Sequence, residues 1–104
     1  MLKYELRVKK TYNDNGFTKV LSPAKNAIVG SSFTLLLQDK LKKDATLIIE
    51  TEAEDKGEVY STTMKANSSR QMVSLSPRSK FPKGLYYWNL KSDEGKLAGK
   101  FYVE

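Results

Sequence analysis

The chain contains neither cysteine nor histidine. Without cysteine there is no disulfide framework, no thiol nucleophile and no thiolate metal site. Without histidine there is no Ser-His-Asp or Cys-His catalysis and no imidazole for a zinc or copper centre. Proline is scarce too, at three residues in 104. No apolar run approaches the roughly 20 residues that a membrane-spanning helix requires. Lys3, Glu5 and Arg7 interrupt the only apolar start, so the N-terminus does not read as a signal peptide. Glycine-rich phosphate loops are also missing, because Gly57, Gly84, Gly95 and Gly99 fall at turns and in strand-like stretches. No motif for RNA binding and no helical recognition element is present, so nucleic acid is not an expected partner. Catalysis would have to rest on Asp, Glu, Lys, Tyr or Ser alone. The serines of "YSTTM" and "NSSR" have no histidine to activate them and read as polar strand and turn residues. The expectation is a protein that is not an enzyme and carries no cofactor.

What remains is a soluble composition, 39% hydrophobic and 29% charged, with a formal net charge of +6. A chain of this length is expected to form one domain, residues 1–104. The basic excess would suit an acidic polymer, but the cations are spread along the chain. The densest groups are "KLKK" (Lys40, Lys42, Lys43) and "RSKFPK" (Arg78, Lys80, Lys83). They read as solvated surface, with an anion site as the alternative.

The dominant period is two. In "LKYELRVKK", Leu2, Tyr4, Leu6 and Val8 alternate with charged residues, the pattern of a half-buried strand. Asn15-Gly16 then signals a tight hairpin turn, and "FTKVL" returns as a strand that "SPAKN" breaks. Residues 31–38, "SSFTLLLQ", fit a strand, with Phe33, Leu35 and Leu37 on one face. They also fit a helix presenting Phe33, Leu36, Leu37 and Leu41, with Ser32 as its cap. The strand is preferred because nothing else in the chain looks helical. "ATLIIETE", "EVYSTTMK", "QMVSLS" and the closing "GLYYWNLKSDEGKLAGKFYV" complete seven or eight strands with turn residues between them. This spacing predicts an all-β antiparallel sandwich.

"ETEAEDKGE" gathers Glu50, Glu52, Glu54, Asp55 and Glu58. Glu50, Glu52 and Glu54 would share one strand face. Paired carboxylates of this kind serve glycoside hydrolysis or calcium binding. A strand end beside a turn supplies neither a cleft nor six oxygens, so an exposed acidic face is the expected outcome.

The closing hairpin carries the sharpest expectation. Tyr86, Trp88 and Leu90 share one face of its first strand, and Leu97, Gly99, Phe101 and Val103 share one face of its second. Both apolar sets must lie on the same side of the sheet, because a slip of one residue would bury Lys100. A four-residue loop, Ser92 to Gly95, satisfies this, with Gly95 in the left-handed conformation. Leu90 then faces Leu97, Trp88 faces Gly99 and Tyr86 faces Phe101. Leu85, Tyr87, Lys100 and Tyr102 form one patch on the other face, Leu85 opposite Tyr102 and Tyr87 opposite Lys100. That patch is the candidate partner-binding surface. The alternatives are simple cross-strand packing, with Tyr87 against Lys100, or a second small core covered by the N-terminal hairpin.

"GLYYWNL…GKFYV" resembles the end of bacterial immunoglobulin-like and fibronectin type III-like domains. In those domains a small residue, a spacer and a tyrosine open the penultimate strand. The resemblance implies that Tyr86 makes a tyrosine corner, its hydroxyl bonded to backbone near the preceding turn. From "LSPAKNAIVGSSF" onward the order of elements is also similar to the C-terminal sorting domains of proteins that Bacteroidetes secrete by the type IX system, although "SPA" stands where Asn-Pro is usual. The resemblance implies an extracytoplasmic accessory, spacer or interaction module beside other domains of a longer bacterial protein. Its partner would be a protein, or a polysaccharide bound through exposed tyrosines, and it would not insert into a membrane.

Overall fold

The computed structural model describes residues 17–104, so the N-terminal strand and the Asn15-Gly16 hairpin lie outside the described residues. Eight strands run through the described part: β1 (Val20–Ser22), β2 (Ala27–Val29), β3 (Ser32–Leu37), β4 (Ala45–Thr51), β5 (Gly57–Met64), β6 (Arg70–Ser74), β7 (Gly84–Ser92) and β8 (Gly95–Val103). One 3-10 turn, Ala53–Asp55, is the only helical element among these residues. The strands form two sheets, ordered β1-β3-β6 and β2-β8-β7-β4-β5. All pairings are antiparallel except β2 with β8, which run parallel.

A single core lies between the sheets. The three-stranded sheet contributes Phe33, Leu35, Leu37 and Val73; the five-stranded sheet contributes Leu47, Ile49, Tyr86, Trp88, Leu90 and Phe101. Phe33 of β3 stacks on Phe101 of β8, ring centroids 4.4 Å apart, and Phe101 stacks in turn on Tyr86 at 5.4 Å. This aromatic stack crosses from one sheet to the other and makes the arrangement a sandwich.

The ambiguous segment is a strand. Phe33, Leu35 and Leu37 are buried while Thr34 and Leu36 are half-buried, the alternation of period two. Leu41, which the helical reading needed on the same face, is buried from the loop that follows.

Ala27–Val29 is a strand that the sequence pattern did not single out. The chain leaves β1 through a cis Ser22–Pro23 bond and turns at Asn26, whose φ is +60°. The N–H of Ala27 closes the turn on the carbonyl of Ala24 at 3.1 Å. The first strand region is thereby split, half in each sheet. Glu50, Glu52 and Glu54 do not share a strand face. β4 ends at Thr51, and Glu54 lies in the 3-10 turn at φ +53°.

Candidate functional site

The site is built on the closing hairpin. Its register is the one expected from parity: Leu90 opposite Leu97, Trp88 opposite Gly99, Tyr86 opposite Phe101, Tyr87 opposite Lys100 and Leu85 opposite Tyr102. The loop is tighter than expected, because Ser92 and Gly95 also pair and leave only Asp93 and Glu94 between the strands. Gly95 has a φ of +148°, positive but far from the left-handed helical value of about +57°. Phe17 lies 3.2 Å from where a Gly95 side chain would begin, so a larger residue there would also have to displace that ring by a few tenths of an ångström.

The inward face is core. Trp88 is 2% exposed and lies against Gly99 along its Nε1–Cζ2 edge. A Cβ at Gly99 would come within 2.6 Å of the indole Nε1. Tyr86 is fully buried and donates its hydroxyl to the carbonyl of Pro82 at 2.6 Å, four residues upstream. Burial pushes the pKa of this phenol up to about 12.

On the outward face the structure keeps the four candidate residues in one patch but divides their availability. Tyr102 is 38% exposed, and Leu85 and Lys100 are half-buried. Tyr87 is fully buried although it lies outside the cluster between the sheets. Its ring is therefore withdrawn from any partner that meets this face, a correction to the surface read from parity. Alternation assigns a side chain to a face; it does not report what covers that face.

The patch gains a residue in exchange. Ile28 pairs directly with Tyr102 across the parallel β2–β8 ladder and is 67% exposed. Ile28, Tyr102 and Leu85 thus form one apolar row across three strands at one end of the sheet. Sequence reasoning missed Ile28 because a three-residue strand shows no period. The available signal was "AIV", a β-favouring tripeptide between Asn26 and Gly30.

Thr51 fixes the backbone of this row. It is the one buried polar residue of the described part. Its hydroxyl donates to the carbonyl of Leu85 at 2.7 Å and accepts the N–H of Ala53 at 3.1 Å. One side chain thereby ties the end of β4 to the start of β7 and begins the 3-10 turn.

Parts of the two basic groups are engaged in the fold, Lys42 and Lys43 through their backbone and Lys43 and Arg78 through their side chains. Glu94, in the hairpin loop, accepts the backbone N–H groups of Lys42 and Lys43 at 3.0 and 3.1 Å. The Lys43 ammonium lies 3.9 Å from Asp93. Arg78 donates to the carbonyls of Phe81 and Glu104, closing the β6–β7 loop onto the end of β8. In the acidic region, Glu50 and Glu58 face each other across β4 and β5, while Lys56 lies 4.0 Å from Glu54. Among the described residues, no three acidic side chains converge as metal ligands would.

No protein-family model matches this chain, and no curated protein matches it.

Proposed function

We propose that this chain is a non-enzymatic interaction or spacer module with an immunoglobulin-like, fibronectin type III-like fold, serving a larger extracytoplasmic bacterial protein. The observation that carries the reading is the Tyr86–Pro82 hydrogen bond at the start of the penultimate strand. It matches the corner geometry implied by the sequence resemblance. The strand order supports the same reading. With β1 and β2 taken as two halves of one first strand, the sheets group the first, second and fifth strands against the rest. Such a sandwich presents loops and outer sheet faces, and its chemistry is that of surfaces.

On this reading a protein partner meets the row Ile28, Tyr102 and Leu85. The row is apolar, contiguous and edged by Lys100, the combination found at binding hot spots. A polysaccharide platform would need ring faces open to solvent. Of the hairpin's rings, Tyr86, Tyr87, Trp88 and Phe101 are buried and only Tyr102 is exposed. Acidic polymers would need clustered cations, whereas the basic residues are spread along the chain.

Site-specific photocrosslinking tests the proposal. A photoreactive phenylalanine replaces Tyr102, or Thr46 at the far end of the same sheet face, in the protein as its host makes it. The proposal expects a discrete crosslinked protein species from position 102 and none from position 46. Equal yields from both positions, or none from either, would argue against a partner on this row. Titration with heparin and with neutral polysaccharide separates the other classes. Salt-sensitive binding to heparin would favour the electrostatic reading, and tyrosine quenching by a neutral glycan would favour the carbohydrate one.

A further inference from the structure

Among the described residues the sandwich has four outer strands: β1 and β6 bound the smaller sheet, β2 and β5 the larger. An open edge offers unpaired N–H and C=O groups to any other strand, and proteins blunt such edges with short strands, bulges, proline or charge. Three of these edges are blunted. β1 and β2 are three residues long, β1 is irregular and runs into Pro23, and the five residues of β6 begin with Arg70. β5 is different. It has eight residues, no proline, no lysine and one charged side chain, Glu58. Its bulge is confined to the start, where Val59 is the extra residue turned into the core. From Tyr60 to Met64 the ladder is regular, and the sequence "YSTTM" is uncharged and mostly β-favouring.

We propose that β5 is the interface of a symmetric dimer, in which two copies of this chain join edge to edge with their β5 strands antiparallel. The two larger sheets then become one continuous sheet. The charge pattern fixes the register. A twofold axis normal to the sheet keeps each side chain on its own face, so the axis must pass through a residue position. Centred on Thr62, it sets Ser61 opposite Thr63 and Tyr60 opposite Met64. Because Val59 is bulged, Glu58 occupies the ladder position next to Tyr60 and falls opposite Lys65 of the other copy. Both belong to the outward set, with Ser61 and Thr63, and symmetry makes this contact twice. Centring on Ser61 instead would set Lys56 against Lys65, two like charges. The Thr62 register alone gives the regular segment full overlap with opposite charges at both ends.

Lys65 directly follows β5. Asp44, just before β4, accepts the N–H of Ala66 at 2.9 Å and lies 3.6 Å from the Lys65 ammonium in a solvent-exposed pair on the β4 side. The contact with Glu58 of the second copy replaces or shares that pair. Ser61, Thr63, Glu58 and Lys65 are exposed, so pairing covers side chains that contribute little to the monomer's core. The occupant is a second copy because the strand is complementary to itself in reverse.

Sedimentation velocity on the intact chain tests this, with charge-swap variants. The wild-type chain is expected to show a concentration-dependent monomer–dimer equilibrium. Lys65→Glu and Glu58→Lys each replace two attractive contacts with two repulsive ones and should weaken dimerisation about tenfold or more. The double variant, Glu58→Lys with Lys65→Glu, should restore it. Both positions are exposed, and matching thermal melts of the monomers would confirm that the variants fold. A wild-type chain that sediments as monomer at every concentration overturns the proposal. So does a dimer that the single variants leave intact, or one that the double variant fails to restore.

Discussion

Gly99→Ala adds one methyl group where the indole of Trp88 already lies. The new Cβ would sit 2.6 Å from Nε1, 2.8 Å from Cε2 and 2.9 Å from Cζ2. Carbon contacts settle at about 3.5–4.0 Å, so the ring must retreat by roughly 1 Å or the strand must move. Trp88 is 2% exposed and enclosed by the core, which leaves it little room. Overpacking of this kind costs about 1–3 kcal/mol. Replacing glycine also restricts the unfolded chain, which offsets about 0.4–1 kcal/mol. The net expectation is a loss of about 1–2 kcal/mol. Urea unfolding followed by Trp88 fluorescence should read it as a midpoint lowered by roughly 0.3–2 M, given an m-value of about 1–3 kcal/mol/M. Trp88→Phe supplies the control. A phenyl ring lacks the edge that meets Gly99, so alanine at 99 should cost little in that background, followed by far-UV circular dichroism. The coupling between the two changes should be about 1–2 kcal/mol. An unchanged or raised midpoint for Gly99→Ala, or an equal cost in both backgrounds, would refute the contact as the reason for glycine at this position.

Tyr86→Phe should destabilise by about 1–3 kcal/mol in the same assay, since the Pro82 carbonyl loses its donor. The phenol pKa is raised to about 12 in the folded state, above the unfolded value of about 10. The folded chain thus keeps a proton that the unfolded chain releases, so wild-type stability should fall as pH rises from about 10 towards 12. Tyr86→Phe should lack that component when the two pH profiles are compared. Thr51→Val keeps the shape of the side chain but strips partners from the Leu85 carbonyl and the Ala53 N–H. It should cost about 1–3 kcal/mol, with faster amide exchange at Ala53. Lys96→Glu converts the directly opposed Lys91 and Lys96 into an attractive pair. It should stabilise by about 0.2–1 kcal/mol, with the gain shrinking as salt is added.

The hairpin register was legible because period two fixes its parity, a slip of one residue burying Lys100, and the turn residues Ser92 to Gly95 then pick one of the alignments that parity allows. The hydrogen bond of Tyr86 was anticipated only through the resemblance of "GLYYWNL" to immunoglobulin-like strand ends; the structure supplies the acceptor, the carbonyl of Pro82. The strand at Ser32–Leu37 was legible by elimination, since its own residues satisfy both periods. Elsewhere the pattern carried less information. Ala27–Val29 is too short to show a period, and its parallel pairing with β8 follows from a turn at Pro23–Asn26 whose direction the residue types do not encode. Glu54 left the strand because Thr51 bonds the Ala53 N–H and starts a turn there. The burial of Tyr87 was illegible for a more general reason: alternation assigns a residue to a face and is silent on what lies above it. The exposed row that replaced the expected patch depends on Ile28, which comes from another part of the chain and meets Tyr102 only in the folded sheet.

Hydroxyl-radical footprinting of the native chain, read residue by residue by mass spectrometry, tests the central claim most directly. That claim is that the aromatic hairpin is structural and leaves only the row of Ile28, Tyr102 and Leu85 for a partner. Tyr102 and Ile28 should be oxidised readily, while Tyr86, Tyr87 and Trp88 should be protected until urea unfolds the chain. Oxidation of Tyr87 or Trp88 in the native state at the rate of Tyr102 would contradict the account, because it would place those rings on the surface.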